Sequence, residues 1–274
     1  MKVIKRLSII ALLGCYSHFA LASDSQTFCQ SGNNACTFVL LTELNKDNAN
    51  PKSNISRVNE SRANTQLPPF STFKVVNSLI ALDLGVIKNT HQTLTYNEKS
   101  YPMQAWWPSV WKLPHYDLTS AFKFSMVAIY RQLAADIGEK NMLRYVNKMH
   151  YGNEDISSGL DNFWLNGSMK ISAVEQTLLL QKIYHNQWNF NKKAIDSLKE
   201  IMLAETTKNY RLFAKTGAGK VDDGTMLGWY IGFVENSAGV HFFAFNFNSP
   251  SYAEMKANRT TIAKNHLRQA GIIQ

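Results

Sequence analysis

Cysteine is scarce in this chain, and that scarcity excludes two classes of protein. Of 274 residues only Cys15, Cys29 and Cys36 are cysteine. Three are too few for a small fold stapled by disulfides. The pair Cys29 and Cys36 also lacks a nearby histidine to complete a tetrahedral zinc site, so no metal is expected. Long runs of one charge are missing as well. The formal net charge is +9, yet the Lys and Arg residues are scattered, and no stretch is dense enough to form a nucleic-acid patch. Beyond the N-terminal leader no apolar run is long enough for a membrane span. Repeats and low-complexity tracts are absent too. What remains, 45% apolar and 18% charged, is the composition of an ordinary globular protein with ample material for a core.

The leader is the first positive feature. Met1-Lys2-Val3-Ile4-Lys5-Arg6 is a basic n-region, Leu7 to Ala20 is mostly apolar, and Ala20-Leu21-Ala22 offers a small-x-small cleavage site. Residues 1–22 therefore read as a signal peptide, followed by one catalytic domain over 23–274, and the protein is expected in the periplasm or outside the cell. Leu12-Leu13-Gly14-Cys15 is a competing lipoprotein box. Its preceding apolar run is short and Leu13 is not the usual small residue, so soluble export is favoured. Removing the leader takes away Lys2, Lys5 and Arg6 and no acid, which lowers the net charge from +9 to +6. Cys15 leaves with it. In an oxidising compartment the turn-rich spacer 30–34 lets Cys29 and Cys36 form a local disulfide.

Along the mature chain, Cys36 to Thr42 has the β-branched and apolar content of a strand. Residues 45–66 are polar and read as an irregular connection. Val75 to Leu84, opened by Pro68 to Lys74, has helical spacing and stops at Gly85. The aromatic, proline-broken stretch 88–114 wraps a core rather than forming one. Leu118 to Ile137 reads as one helix ending at Gly138, and Glu139 to His150 as another. Ser172-Ala173-Val174-Glu175 has the capping-box pattern and opens a further helix, followed by one over 192–203. Then Tyr210 to Lys215, Met226 to Glu235 and Val240 to Phe247 are β-rich, and a last helix runs from Tyr252 to about Ala270. The expected fold class is α+β: an antiparallel sheet built from both chain ends, with a mainly helical lobe inserted between them.

Chemistry concentrates at Pro68-Pro69-Phe70-Ser71-Thr72-Phe73-Lys74. Residues three apart share a helix face, so Ser71 and Lys74 point the same way on a buried helix, as a nucleophile and its base would. Taken alone, Ser71 is as readily a helix cap. A working site also needs a proton route, cations for an anionic substrate and an oxyanion hole. Ser125, among apolar neighbours, either bonds a backbone carbonyl or faces such a site. Lys215-Thr216-Gly217-Ala218-Gly219 places a lysine on a strand edge with small residues that leave room for a ligand. The same glycines do not make a phosphate loop, because Ala214 and Val221 stand where that pattern needs Gly and Ser or Thr.

In order and approximate spacing, Ser71-Thr72-Phe73-Lys74, Ser125-Met126-Val127, Tyr151-Gly152-Asn153, Trp164 and Lys215-Thr216-Gly217 resemble class D (oxacillinase-type) serine β-lactamases. The likeness extends through Asp161-Asn162-Phe163-Trp164-Leu165, Gly228-Trp229-Tyr230-Ile231-Gly232 and Phe242-Phe243-Ala244-Phe245-Asn246. It covers nearly the whole mature chain. The resemblance implies the roles one residue at a time. Ser71 matches the nucleophile that opens a β-lactam ring. Lys74 matches the lysine carboxylated by CO2 that serves as general base, so no cofactor is implied beyond CO2 or bicarbonate. Trp164 matches the indole whose N–H supports that carbamate, Ser125 a proton shuttle, and Val127 a wall of the lysine pocket. Lys215, Thr216 and Gly217 match the strand that faces substrate. The backbone N–H groups of Ser71 and Ala218 fall at the family's oxyanion hole. Arg259, not singled out by its own surroundings, falls where the family pairs an arginine with the substrate carboxylate.

Two departures adjoin the site. Phe70 stands where the family more usually has a small residue, and Ala218 replaces a commonly larger one. Both bear on substrate profile rather than on the reaction. The cysteine pair matches nothing general to the family. A stably acylated β-lactam sensor domain and a penicillin-binding carboxypeptidase share these motifs. A sensor would need preceding membrane helices, and the Trp164 segment and short length favour the lactamase. The implied partners are small β-lactam substrates, with no nucleic acid and no stable membrane span; the sequence leaves oligomeric state open.

Overall fold

A computed structural model describes residues 29–30, 32, 35–44, 53–165 and 167–274. Strands β1 (Cys36–Leu44) and β2 (Ser53–Val58) come from the N-terminal part. Strands β3 (Leu203–Thr206), β4 (Tyr210–Lys220), β5 (Met226–Asn236) and β6 (Gly239–Ser249) come from the C-terminal part. They form one six-stranded sheet, ordered β2-β1-β6-β5-β4-β3 and antiparallel throughout. The two chain ends meet where Phe38 pairs with Phe245. Both faces of the sheet are covered, which is why its central strands read as nearly continuous apolar runs. Val39, Leu41, Phe213, Phe233 and Phe242 face the helical lobe. Phe38, Leu40, Leu212, Phe243 and Phe245 face the opposite way, against Met255, Ile262 and Leu267 of the C-terminal helix (Tyr252–Gln269).

Among the described residues seven α-helices fill the inserted lobe: α1 (Glu60–Asn64), α2 (Lys74–Asp83), α3 (Leu118–Lys123), α4 (Val127–Ile137), α5 (Glu139–Met149), α6 (Ala173–Tyr184) and α7 (Lys192–Met202), so the C-terminal helix is α8. The capping box at α6 is formed both ways. Glu175 N–H donates to Ser172 Oγ at 3.2 Å, and Ser172 N–H donates to Glu175 Oε2 at 2.7 Å. Among the described helices none is long and apolar enough to cross a membrane.

Three sequence expectations need correction. The polar stretch 45–66 is not wholly irregular, because it contains β2 and α1. As the edge strand, β2 leaves most side chains in solvent and gains its order from backbone pairing to β1. Its hydrophobic signal is accordingly weak. Next, Leu118 to Ile137 is two helices, not one. The chain breaks at Phe124-Ser125-Met126, where Ser125 takes a left-handed φ of 54°. Both helices keep apolar faces inward, so the spacing hides a break only a few residues long. Lastly, Leu203 opens the short strand β3 rather than ending a helix.

Cys29 and Cys36 are joined as a disulfide, with Cα atoms 5.8 Å apart. The Cys29 N–H donates to His266 Nε2 of α8 at 3.0 Å, tying the N-terminal segment to the covering helix. The leader expected over residues 1–22 and the alternative lipid site Cys15 lie outside the described residues.

Candidate active site

The turn before α2 is built by its two prolines. Pro69 O accepts from both Thr72 N–H at 3.1 Å and Thr72 Oγ1 at 2.8 Å, which closes a 3-10 turn over Phe70–Phe73. Pro68 O accepts from Trp229 Nε1 of β5 at 2.9 Å, pinning the turn to the sheet. Lys74 follows as the first residue of α2, and none of its surface reaches water. Its Nζ donates to Ser71 Oγ at 2.8 Å. Burial disfavours the ammonium and lowers the Lys74 pKa to about 7. A neutral amine is therefore accessible near neutrality, which an exposed lysine does not provide. Part of its dry surroundings comes from Tyr130 of α4, whose ring centroid is 5.1 Å from Nζ. The Tyr130 hydroxyl shares a hydrogen bond with Ser78 Oγ at 2.8 Å.

Ser125 and Lys215 meet across the lobe–sheet boundary. Lys215 lies on β4, and its Nζ donates to Ser125 Oγ and, at 3.0 Å, to Thr216 O. The left-handed turn at Ser125 is what carries that hydroxyl to the strand. Burial holds the Lys215 pKa well below the ordinary lysine value, and the positive charges of Lys74 and Arg259 push it in the same direction. Two lysines and two hydroxyls are thus gathered between α2, the α3–α4 break and β4.

The strand leaves an edge for a ligand. β3 pairs with β4 only at Arg211, Leu212 and Phe213. Among the described residues, nothing pairs with the same side of β4 over 214–220, while β5 satisfies its other side throughout. Thr216, Gly217 and Ala218 lie on this open stretch. Arg259 on α8 is half-buried, and its Nη1 donates to Gly217 O at 3.1 Å. Its Nε is buried with no hydrogen-bond partner among the described residues. A guanidinium donor left unmade beside an open strand edge suits a carboxylate arriving there.

Trp164 is fully buried, with its ring stacked on Phe73 at 5.4 Å between centroids. Its Nε1 has no hydrogen-bond partner among the described residues. A buried indole N–H normally finds an acceptor, and Phe73 is the residue before Lys74. Val127, the half-buried first residue of α4, follows the Ser125 break. An extra acceptor on Lys74 is thus compatible with what surrounds it: a dry lysine of lowered pKa and an unsatisfied donor on a ring packed against the neighbouring residue.

Sequence reasoning missed several supports. Tyr130 and Ser78 sit at ordinary helical core spacing and carry no motif. Gln176 Nε2 donates to Thr72 Oγ1 at 2.7 Å, steadying the Ser71 turn from α6. Trp111 Nε1 donates to Phe124 O at 2.7 Å, bracing the break that holds Ser125. The stretch 88–114 was legible as a wrap, but no sequence signal gave this bond.

The penicillin binding protein transpeptidase domain family matches residues 37–268. β-Lactamase OXA-48 of Klebsiella pneumoniae is 39% identical over 216 residues, which is 78% of each chain. The regulatory protein BlaR1 of Bacillus licheniformis is 32% identical over 195 residues, 71% of this chain but 31% of that protein. The crystal structure of FUS-1 (OXA-85), a class D β-lactamase from Fusobacterium nucleatum subsp. polymorphum, superposes with a TM-score of 0.76 at 30% identity, covering 87% of this chain and 93% of that one. By domain match, by sequence and by fold, the chain belongs to the class D β-lactamases, within the penicillin binding protein transpeptidase superfamily.

Proposed function

We propose that this protein is an exported hydrolase that opens the ring of penicillin-type β-lactams through an acyl-enzyme on Ser71 and so confers resistance to them. The observation that carries the reading is the 2.8 Å contact between Ser71 Oγ and a Lys74 amine that is wholly out of water. When bound to Lys74 as a carbamate, CO2 supplies a general base for both acylation and deacylation, and Trp164 Nε1 is the donor that would hold it. Export is supported by the leader pattern of residues 1–22 and by the Cys29–Cys36 bridge, a bond that persists in oxidising compartments.

The chain's own groups divide the work. Ser71 Oγ passes its proton to the Lys74 side chain and bonds to the lactam carbonyl carbon, while the Ser71 and Ala218 N–H groups receive the developing oxyanion. As the ring C–N bond breaks, Ser125, bonded to Lys215, delivers a proton to the departing nitrogen. Arg259, with Thr216 and Gly217, holds the substrate carboxylate at the open edge of β4. Val127 keeps water sparse around Lys74. A water then displaces the acyl group, and Ser71 recovers its proton.

The similarity to BlaR1 keeps one other reading in view, a β-lactam-sensing domain that stays acylated; a penicillin-binding carboxypeptidase is the third. Turnover separates them. Purified protein mixed with excess benzylpenicillin should release hydrolysed product over many equivalents, with only transient acylation of Ser71 by mass spectrometry. Stoichiometric, lasting acylation without product would overturn the hydrolase.

A further inference from the structure

Two glycines on β4 are glycines for want of space, not for backbone freedom. Neither Gly217 nor Gly219 has a positive φ. A Cβ on Gly217 would lie 2.9 Å from Pro69 O and 3.0 Å from the Thr72 methyl. A Cβ on Gly219 would lie 2.0 Å from Phe70 Cε1, 2.3 Å from Cζ and 2.4 Å from Cδ1. Alternate residues of a strand share a face, so Lys215, Gly217 and Gly219 present one face of β4 to the nucleophile turn. It carries a lysine and then two bare positions, and the turn is seated on the bare ones.

Phe70 is unusual on its own account. It precedes Ser71, its ring is almost fully buried, and its φ is 49°. A bulky residue in that region is strained and persists only where its surroundings over-determine it. Here the surroundings are the ring's seat on Gly219.

We propose that Phe70 and Gly219 form a matched pair that fixes the distance between the Ser71 turn and the open edge of β4. Phe70 is then a positioning residue for the nucleophile. The consequence for catalysis rests on the function proposed above, in which Ser71 N–H lies on one side of this contact and Ala218 N–H on the other. The ring sets the gap between those two donors, and an error of about 1 Å in such a gap costs on the order of a hundredfold in rate. A shorter side chain at position 70 lets the turn settle or wander, while any side chain at position 219 lifts it away.

The test is a double-mutant cycle on the full protein with Phe70→Ala, Gly219→Ala and the double variant. Acylation rate constants for benzylpenicillin are measured by quenched-flow mass spectrometry, normalised to folded protein, alongside melting temperatures. Gly219→Ala is expected to lower the acylation rate constant by about a hundredfold while the dissociation constant of the encounter complex is unchanged. The double variant should recover at least about tenfold of that loss, a strong non-additivity. Gly219→Ala within about threefold of wild type, or a double variant no faster than Gly219→Ala, would overturn the pairing. If Gly219→Ala does not fold, recovery of folded, acylating double variant supports the pair and failure to recover it overturns the pair. Should wild type itself not react with the β-lactam, the proposed function fails; coupling in the melting temperatures still decides the pairing, with additive shifts against it.

Discussion

Ser71 Oγ and Lys74 Nζ stand 2.8 Å apart at the start of α2, with the amine wholly out of water. That relationship has a thermodynamic side. The ordinary lysine pKa is 10.5 and the folded value is about 7, lowered by burial. Between those two values the unfolded chain binds a proton that the folded chain does not, so stability rises with pH across this window. The penalty for a buried charge is fully present below pH 7 and gone above 10.5.

Lys74→Met should accordingly be more stable than wild type in CO2-depleted buffer at about pH 6, by roughly 2–4 kcal/mol. The advantage should shrink steadily towards about pH 10. Urea unfolding at a series of pH values measures it. A difference that stays constant with pH would mean that the folded lysine is not depressed.

On the proposed function the same depression sets the pH dependence of activity. Below pH 7 the neutral fraction of the Lys74 amine falls about tenfold per unit, and only the neutral amine can bond CO2. Lys74→Ala should be inactive. Wild type should lose activity at mildly acidic pH and regain it on addition of bicarbonate, with a carbamate signal in 13C NMR. Indifference to bicarbonate together with no such signal would remove the modified lysine from the mechanism.

Arg259 offers a separate test, because the proposed function gives it the substrate carboxylate to capture. Its buried Nε has no partner among the described residues, and Nη1 donates only to the Gly217 carbonyl and, weakly, to Met255 Sδ. Losing a desolvated charge pair with a substrate carboxylate costs about 2–5 kcal/mol. For Arg259→Ala this is a KM rise of at least about 30-fold, with a smaller change in kcat. A loss confined to kcat would place the arginine elsewhere in the reaction.

How legible was this in the sequence? The sheet from both chain ends and the inserted helices followed from periodicity, because burial on both faces writes long apolar runs into β1, β5 and β6. The edge strand β2 did not, since pairing through the backbone leaves no pattern in Ser53–Val58. Ser71, Lys74 and Lys215 stand out in the sequence as motifs, and the structure brings Ser71 to Lys74 and Lys215 to Ser125. What motifs could not give was three-dimensional support: Tyr130 beside the amine, Gln176 behind Thr72, and the left-handed turn that delivers Ser125 to Lys215. The departures at Phe70 and Ala218 were visible, but only the structure couples Phe70 to Gly219. A clash between residues 149 positions apart has no local signature.

The Cys29–Cys36 bridge should matter for stability and not for chemistry. It closes a short loop at the start of β1 and fastens it to His266, away from the open edge of β4. Loop-closure entropy for so short a loop gives about 2–3 kcal/mol. Cys29→Ser/Cys36→Ser should therefore melt roughly 4–10 °C lower with unchanged kcat and KM. Altered KM in fully folded variant would show that the bridge reaches the site from its contact at His266, about two helical turns along α8 from Arg259.

Trp164→Phe removes the Nε1–H donor, at the cost of some packing volume. Phenylalanine keeps the stack on Phe73 and discards the Nε1–H that has no partner among the described residues. If that N–H bonds nothing, the variant should match wild type in rate and melt lower only by the cost of the lost core volume. If it donates to an anionic group on Lys74, its loss costs about 1.5–3 kcal/mol, the worth of a hydrogen bond to a charge. The bicarbonate concentration for half-maximal activity should then rise by roughly 10–150-fold, with high bicarbonate restoring much of the rate. On the proposed mechanism both acylation and deacylation should slow, because the same base serves both steps. Titrating bicarbonate against the deacylation rate of both proteins decides the matter, and superimposable curves would sever Trp164 from the lysine.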